Sequence, residues 1–262
     1  EGVESHGLNR VPRFIDYVQK GRVDVDAEPT LVTGKAAVEN YDGNLGIGIT
    51  NAIFSINRAM ALADQYGVGV VTMKHTNHWM RGGTYAKRAA EKGYAAICGT
   101  NAESCMARWG SDEQGVGNNP ICFAVPSEKN EAIFLDMAVS QYSYGRIGTY
   151  RLAGQKLPFA GGYDSEGKLT NDPAEIEKTN RALPMGYWKG SGLAIMLDIM
   201  AAILSDGNTG MDLDREGQGS GTGCSQIFIV FDPAVVAPLE GIKQKVDQRA
   251  DEARSSHPID SE

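Results

Sequence analysis

Near the start of the chain, Glu4-Ser5-His6-Gly7-Leu8-Asn9-Arg10 puts an imidazole and a guanidinium within reach of one small anion, just ahead of a helical pattern. An imidazole changes charge near neutral pH, so His6 can give a proton to an oxygen on which charge develops. A planar guanidinium takes both oxygens of a carboxylate at once, and Arg10 is the candidate for that clamp. A proton donor beside a carboxylate clamp is the minimum equipment for reducing a 2-oxo acid. Taken alone the string proves little, because a surface His near an Arg is ordinarily just solvated.

A second group of reactive side chains lies in Lys74-His75-Thr76-Asn77-His78-Trp79-Met80-Arg81, which reads as a strand-to-helix turn. Loops of this kind are where α/β proteins build sites. His75 and His78 have helical ligand spacing, but the turn breaks the helix and no third ligand is near, so no metal is expected. No GxSxG elbow, P-loop or GxGxxG fingerprint is present, and Lys189-Gly190-Ser191-Gly192 lacks the third glycine. The glycine-rich stretch 217–223 precedes a strand rather than following one and reads as a mobile surface connection.

The elements that must position these residues alternate along the chain. The pattern predicts a helix over 9–21 with Asn9 as cap and Pro12 in its first turn, then an extended segment over 31–41. Apolar residues recur every three or four positions from 47 to 66, a helix that Gly67 ends. Strand 68–73, helix 83–91 and strand 95–98 follow, then strands 121–125 and 133–137. Residues 143–184 read as a long irregular region, 192–204 as a core helix apolar nearly all round, 226–231 as a strand, and Pro233 as the start of the last helix.

Composition bounds the rest. The 262 residues are 42% hydrophobic, enough for a substantial core, and the 32 glycines are scattered rather than periodic. A net charge of −8 with no Lys/Arg cluster argues against nucleic acid or an anionic membrane as partner. Cys98, Cys105, Cys122 and Cys224 lack CxxC spacing, which fits reduced thiols in a cytoplasmic protein. No leader opens the chain and no long apolar run suggests a bilayer span. Both ends look cut.

Five ordered strings then carry a resemblance across nearly the whole chain: Ser5-His6-Gly7 with Arg10, Thr76-Asn77-His78-Trp79 leading to Gly82-Gly83-Thr84-Tyr85, Gly117-Asn118-Asn119-Pro120, Leu135-Asp136-Met137-Ala138, and Gly186-Tyr187-Trp188-Lys189-Gly190. Together they resemble the malate/L-lactate dehydrogenase family of NAD(P)-dependent oxidoreductases, which lack a Rossmann fold. His78-Trp79-Met80-Arg81 and Leu183-Pro184-Met185 point within it to the subgroup acting on 2,3-dioxo acids. The resemblance implies an α/β fold with a family-specific mixed sheet, in which 1–35 and 241–262 belong to a small helical substrate and dimerisation part and 36–240 to the NAD-binding part. It implies a cytoplasmic homodimer that reduces a small oxo acid with NADH. His6 and Arg10 are then catalytic; Ser5, Arg10 and His78 bind substrate; Asn119, Asp136, Met137, Ala138, Val139, Ser140, Trp188 and Lys189 bind the cofactor. Asp136, with no cation following it until Arg146, argues for NADH over NADPH. Two alternatives stay open: a malate, lactate or ureidoglycolate type of dehydrogenase, and a truncated, inactive homologue, since relatives carry a helical lead and a C-terminal Pro-Gly-Glu-like segment.

Overall fold

A computed structural model describes residues 6–129 and 131–257. After a short 3-10 turn at Leu8–Arg10 come α1 (Val11–Gln19), β1 (Thr30–Lys35), β2 (Val38–Asp42), α2 (Gly48–Tyr66), β3 (Val68–Asn77), α3 (Gly83–Glu91) and β4 (Ala95–Thr100). Short strands β5 (Met106–Ala107) and β6 (Gln114–Val116) lead to β7 (Ile121–Val125), β8 (Ile133–Met137) and α4 (Tyr144–Leu152). Then follow β9 (Gly162–Tyr163), β10 (Leu169–Thr170), α5 (Pro173–Thr179), α6 (Trp188–Ser205), α7 (Gly210–Glu216), β11 (Thr222–Phe231) and α8 (Leu239–Arg254).

The seven-stranded sheet runs β1-β2-β3-β11-β4-β7-β8. Only β2 and β3 pair in parallel; the other neighbours are antiparallel, so the sheet is mixed. The late strand β11 enters between β3 and β4, and all of its residues but Ile229 and Phe231 are buried. One face carries α2 and α3 over Val71, Met73, Phe228, Cys98 and Cys122. Alternate residues of the same strands, among them Asn40, Thr72 and Ile97, turn to the opposite face, where Asn40 donates to the Ser205 carbonyl at the end of α6.

Close backbone approach fixes α2 on the sheet. A Cβ on Gly69 would stand 1.9 Å from the Ala59 carbonyl oxygen, so only glycine lets β3 touch the helix. Gly67 adopts φ +79° and ends α2 as expected.

Several expectations need correction. Asn9 does not cap α1: its side chain accepts the Gly7 N–H, and the helix begins at Val11 with Pro12 in its first turn. The extended segment 31–41 is a hairpin turning at Ala36, φ +51°. Residues 143–184 are not irregular but hold α4, the β9–β10 hairpin and α5. Ser143 accepts the Arg146 N–H and Asp172 the Ala174 N–H, so ordinary side-chain caps start both helices. α6 begins at Trp188, and it is not a core helix all round, because Met196, Ile199 and Ile203 are exposed. By length and mean hydropathy (18 residues, 1.3) α6 is apolar enough to cross a bilayer, contrary to the sequence reading. Here it lies on the sheet, and Asp198 in its middle binds the Asn101 side chain and the Gly210 N–H.

Candidate active site

The loop after β3 is set by one buried ring. Trp79, 2% exposed, packs edge-on against Phe228 and beside Tyr85, whose hydroxyl donates to the Trp79 carbonyl. Anchoring Trp79 inward turns its neighbours His78, Met80 and Arg81 to the other side, and Met80 takes φ +65° to do so. The N-terminal segment is pinned to the same place by Asn77, whose amide donates to the carbonyls of Arg22, Leu45 and Gly46.

These anchors leave a cleft of about 600 Å³. His6, Arg10 and Arg13 enter from the N-terminal side, His78 and Arg81 from the β3 loop, and Asp136 and Ala138 from the end of β8. The opposite wall is Asn101–Cys105, with Asn118, Ser143–Gly145 and Gly221 closing the ends.

His6 and His78 stack, with ring centres 5.7 Å apart and planes 11° from parallel. The Met80 N–H donates to Nδ1 of His78 at 3.0 Å, so His78 carries its own proton on Nε2 and is neutral. Desolvation by the cleft walls, then the charges of His6, Arg10 and Arg13, push the His78 pKa well down, although part of the residue stays open to the cleft. Partial burial and Arg10 lower the His6 pKa from the ordinary 6.5, Asp136 opposes them, and Arg81 adds to them. Arg10 is likewise held down by burial and by Arg13.

Asp136 is held from three sides. The Gly83 N–H at the start of α3 donates to Oδ2 at 2.9 Å, Arg81 Nε lies 3.5 Å from the same oxygen, and the Cys122 thiol donates to Oδ1. A Cβ on Gly83 would meet that carboxylate at 2.7 Å, so glycine is required for the contact. Arg81 also lies over the Phe134 ring, 5.2 Å from its centre. Cys105 and Cys224 line the cleft too, but burial pushes both thiols up, Cys105 to about 12, so neither supplies a thiolate near neutral pH.

Of the residues named from sequence, His6, Arg10, His78, Asp136 and Ala138 share this cleft. Ser5 lies outside the described residues. Asn119 is buried beneath the wall, its side chain accepting from Ala102 N–H and donating to the Ala194 carbonyl; Asn118 lines the cleft instead. Met137 and Val139 pack into an apolar cluster with Ile121, Ile147 and Leu197, and Ser140 is buried beside Pro184. Trp188 and Lys189 begin α6 outside the cleft, with Trp188 66% exposed beside Tyr187, whose ring meets that of Trp109 at a tilt. His75 is paired with Asp42, and no cluster of three or more metal-ligating side chains exists among the described residues.

The glycine-rich stretch is not a mere surface connection. Gly221, φ +77°, packs on His78, and its N–H donates to Glu103. Its signal in the sequence was the density of glycines itself, which permits backbone to approach a ring. The wall Asn101–Ser104 had no local signal; it is held by Ser225, Asp214 and Asn119 from distant parts of the chain.

The cleft fits a nicotinamide cofactor. Its volume suits a small organic group, and the start of α4, where Ser143, Tyr144 and Gly145 line the wall, presents backbone N–H groups of the kind that favour phosphate.

Comparison with known proteins agrees with this geometry. The sequence profile of malate/L-lactate dehydrogenase matches residues 1–262. The chain is 47% identical over 231 residues to 2,3-diketo-L-gulonate reductase of Citrobacter koseri, covering 88% of this chain and 69% of the relative. It is 44% identical over 260 residues to the protein of that name from Escherichia coli, covering 96% and 77%. Among solved structures it resembles malate dehydrogenase from Entamoeba histolytica (TM-score 0.92, 26% identity, 100% and 76% covered). It also resembles sulfolactate dehydrogenase from Methanocaldococcus jannaschii (TM-score 0.86, 29% identity, 100% and 75% covered).

Proposed function

The chain belongs to the malate/L-lactate dehydrogenase family, and from that premise we propose that it reduces a 2-oxo acid of the 2,3-diketo-L-gulonate type to the 2-hydroxy acid with NADH. The family is one of NAD(P)-dependent oxidoreductases acting between a CH–OH group and its oxo form. The observation that carries the finer reading is the meeting of His6 and Arg10 in one cleft beside the neutral His78.

A nicotinamide held in this cleft would supply the hydride. His6 gives its proton to the carbonyl oxygen as that oxygen becomes a hydroxyl. Arg10 holds the substrate carboxylate in two-pronged fashion, and the Nε2–H of His78 donates to a substrate oxygen. Asp136 acts against burial, Arg10 and Arg81, which all lower the His6 pKa, and so keeps that imidazole more readily protonated than it would be without the carboxylate.

Cofactor contacts are assigned to Asp136 and Ala138, which line the cleft, and a Ser5 contact to the substrate; Asn119, Met137, Val139, Ser140, Trp188 and Lys189 lie beneath or outside the cleft and are assigned only to a part of the cofactor that extends beyond it. The preference for NADH rests on the absence of a cation between Asp136 and Arg146, whose guanidinium lies over the Tyr150 ring. The pairing of Asp136 with Arg81 weakens its repulsion of a 2′-phosphate, so the missing cation is the stronger argument. A cytoplasmic homodimer, divided into a helical part (1–35 and 241–262) and a cofactor-binding part (36–240), completes the proposal. Absorbance at the nicotinamide band with a panel of 2-oxo and 2,3-dioxo acids, each with NADH and NADPH, tests it. Faster reduction of oxaloacetate or pyruvate than of the 2,3-diketo acid would move the assignment to the malate or lactate type, and kcat/KM for NADPH at or above that for NADH would sink the cofactor preference.

A further inference from the structure

Two guanidiniums, not one, face the cleft from the segment that carries His6. Arg10 ends the 3-10 turn and Arg13 lies in the first turn of α1, three residues on, so both fall on one side of the helical path and both line the cleft. One carboxylate needs only one of them. Arg13 stands exposed at the mouth, and among the described residues it makes no hydrogen bond or ion pair. The nearby carboxylates are engaged elsewhere: Asp136 with Arg81, Gly83 and Cys122, and Glu103 with the Gly221 N–H. Arg13 nonetheless acts across the site, lowering the proton affinity of both Arg10 and His78. Like charges that face one cleft repel, and an electron-rich group lodged between them relieves the repulsion.

We infer that Arg13 is a specificity-determining residue that reads acceptor oxygens on the substrate chain beyond the carbonyl being reduced. The inference rests on the oxo-acid reading above and extends it to the far end of the substrate. A short monoacid such as pyruvate engages Arg10 and His6 and leaves Arg13 without a partner. An acid with a further oxo, hydroxyl or carboxylate group offers it one.

The test compares Arg13→Gln and Arg13→Lys with the unaltered protein, using 2,3-diketo-L-gulonate, oxaloacetate and pyruvate at saturating NADH. Loss of a charged hydrogen-bond donor should lower kcat/KM for the oxygen-rich substrates about tenfold or more relative to pyruvate, chiefly through KM. A ratio between substrates within one variant cancels any loss of folded protein. If the loss falls on oxaloacetate, the oxygens read are those of a second carboxylate, and Arg13→Lys should recover part of it; if on the diketo acid, they are carbonyl and hydroxyl oxygens. Equal losses on all three substrates, or a raised KM for NADH in place of the oxo acid, overturn the assignment. Should the unaltered protein reduce none of the three, the oxo-acid reading itself fails and this inference with it; reduction with unchanged ratios removes Arg13 alone.

Discussion

The imidazoles of His6 and His78 lie face to face, 5.7 Å apart, and only His6 is placed to change charge. Nδ1 of His78 accepts the Met80 N–H, which fixes the neutral tautomer, and a second positive charge beside a protonated His6 would be repelled. On the proposed reading the pair divides its work: His6 moves the proton while His78 stays a neutral donor. His6→Ala should lower kcat by roughly 10²-fold or more while leaving NADH affinity nearly unchanged, because a lost acid acts on chemistry rather than on cofactor binding. Steady-state kinetics with a separate NADH titration decide it; a variant keeping more than about half its turnover across pH 6 to 8 would remove His6 from this role.

Arg10 lies within the electrostatic reach of both imidazoles and half-buried, so its planar geometry matters as much as its charge. Arg10→Lys should raise KM for the oxo acid by about tenfold or more, since an ammonium is a point charge without the two-pronged fork. Substrate-saturation curves at fixed NADH measure this, and an unchanged KM would take Arg10 out of the substrate site.

Stability should carry the mark of the two lowered imidazole pKa values. Both groups bind a proton more readily in the unfolded chain than in the native one, so their contribution is fully present above pH 6.5 and is lost as the pH falls below it. Asp198, whose carboxyl is raised by burial, works in the opposite sense at lower pH, so the total curve mixes the two. The difference between the unaltered protein and His78→Gln isolates the imidazole part. Melting temperatures from pH 7.5 to 5.5 should fall less steeply in His78→Gln; parallel curves would show that His78 is not held neutral.

Local signals marked most of the helices and strands and five of the residues that line the cleft. The three-to-four spacing in α2, the glycines that end it and follow α3, and the β-branched run that opens β3 are properties of neighbouring residues, and they lie where the pattern put them. The cleft residues His6, Arg10, His78 and Asp136 were legible because their side-chain types are chemically unusual in combination. What the pattern could not carry is pairing at a distance. β11 completes the centre of the sheet long after β3 and β4 have formed its neighbours, and it is this insertion that brings Gly221, Cys224 and Gln226 to the cleft. The choice between Asn118 and Asn119 was equally hidden. It depends on a backbone at φ +22° that turns the Asn119 side chain inward onto Ala102 and Ala194. The caps of α4 and α5 were readable, and the turn residues between them masked a pair of ordinary short helices.

Gly221 offers the sharpest check that the glycine-rich loop is part of the site. Its φ of +77° costs a side-chain-bearing residue about 1–2 kcal/mol wherever it occurs. Gly217 is at φ +60° with nothing within 4 Å of an added Cβ, so Gly217→Ala carries the backbone strain alone. At Gly221 the added Cβ would also stand 2.8 Å from the Cβ of His78, in a stack whose other member is His6. Both variants should melt lower by a few degrees, in keeping with about 2–4 °C per kcal/mol for a chain of this size. Only Gly221→Ala should also lose kcat/KM for the oxo acid, by about tenfold, because a displacement of this order misplaces His78 and loosens the Glu103 contact. Equal kinetics in the two variants would mean that the loop contributes stability but does not support the imidazole pair.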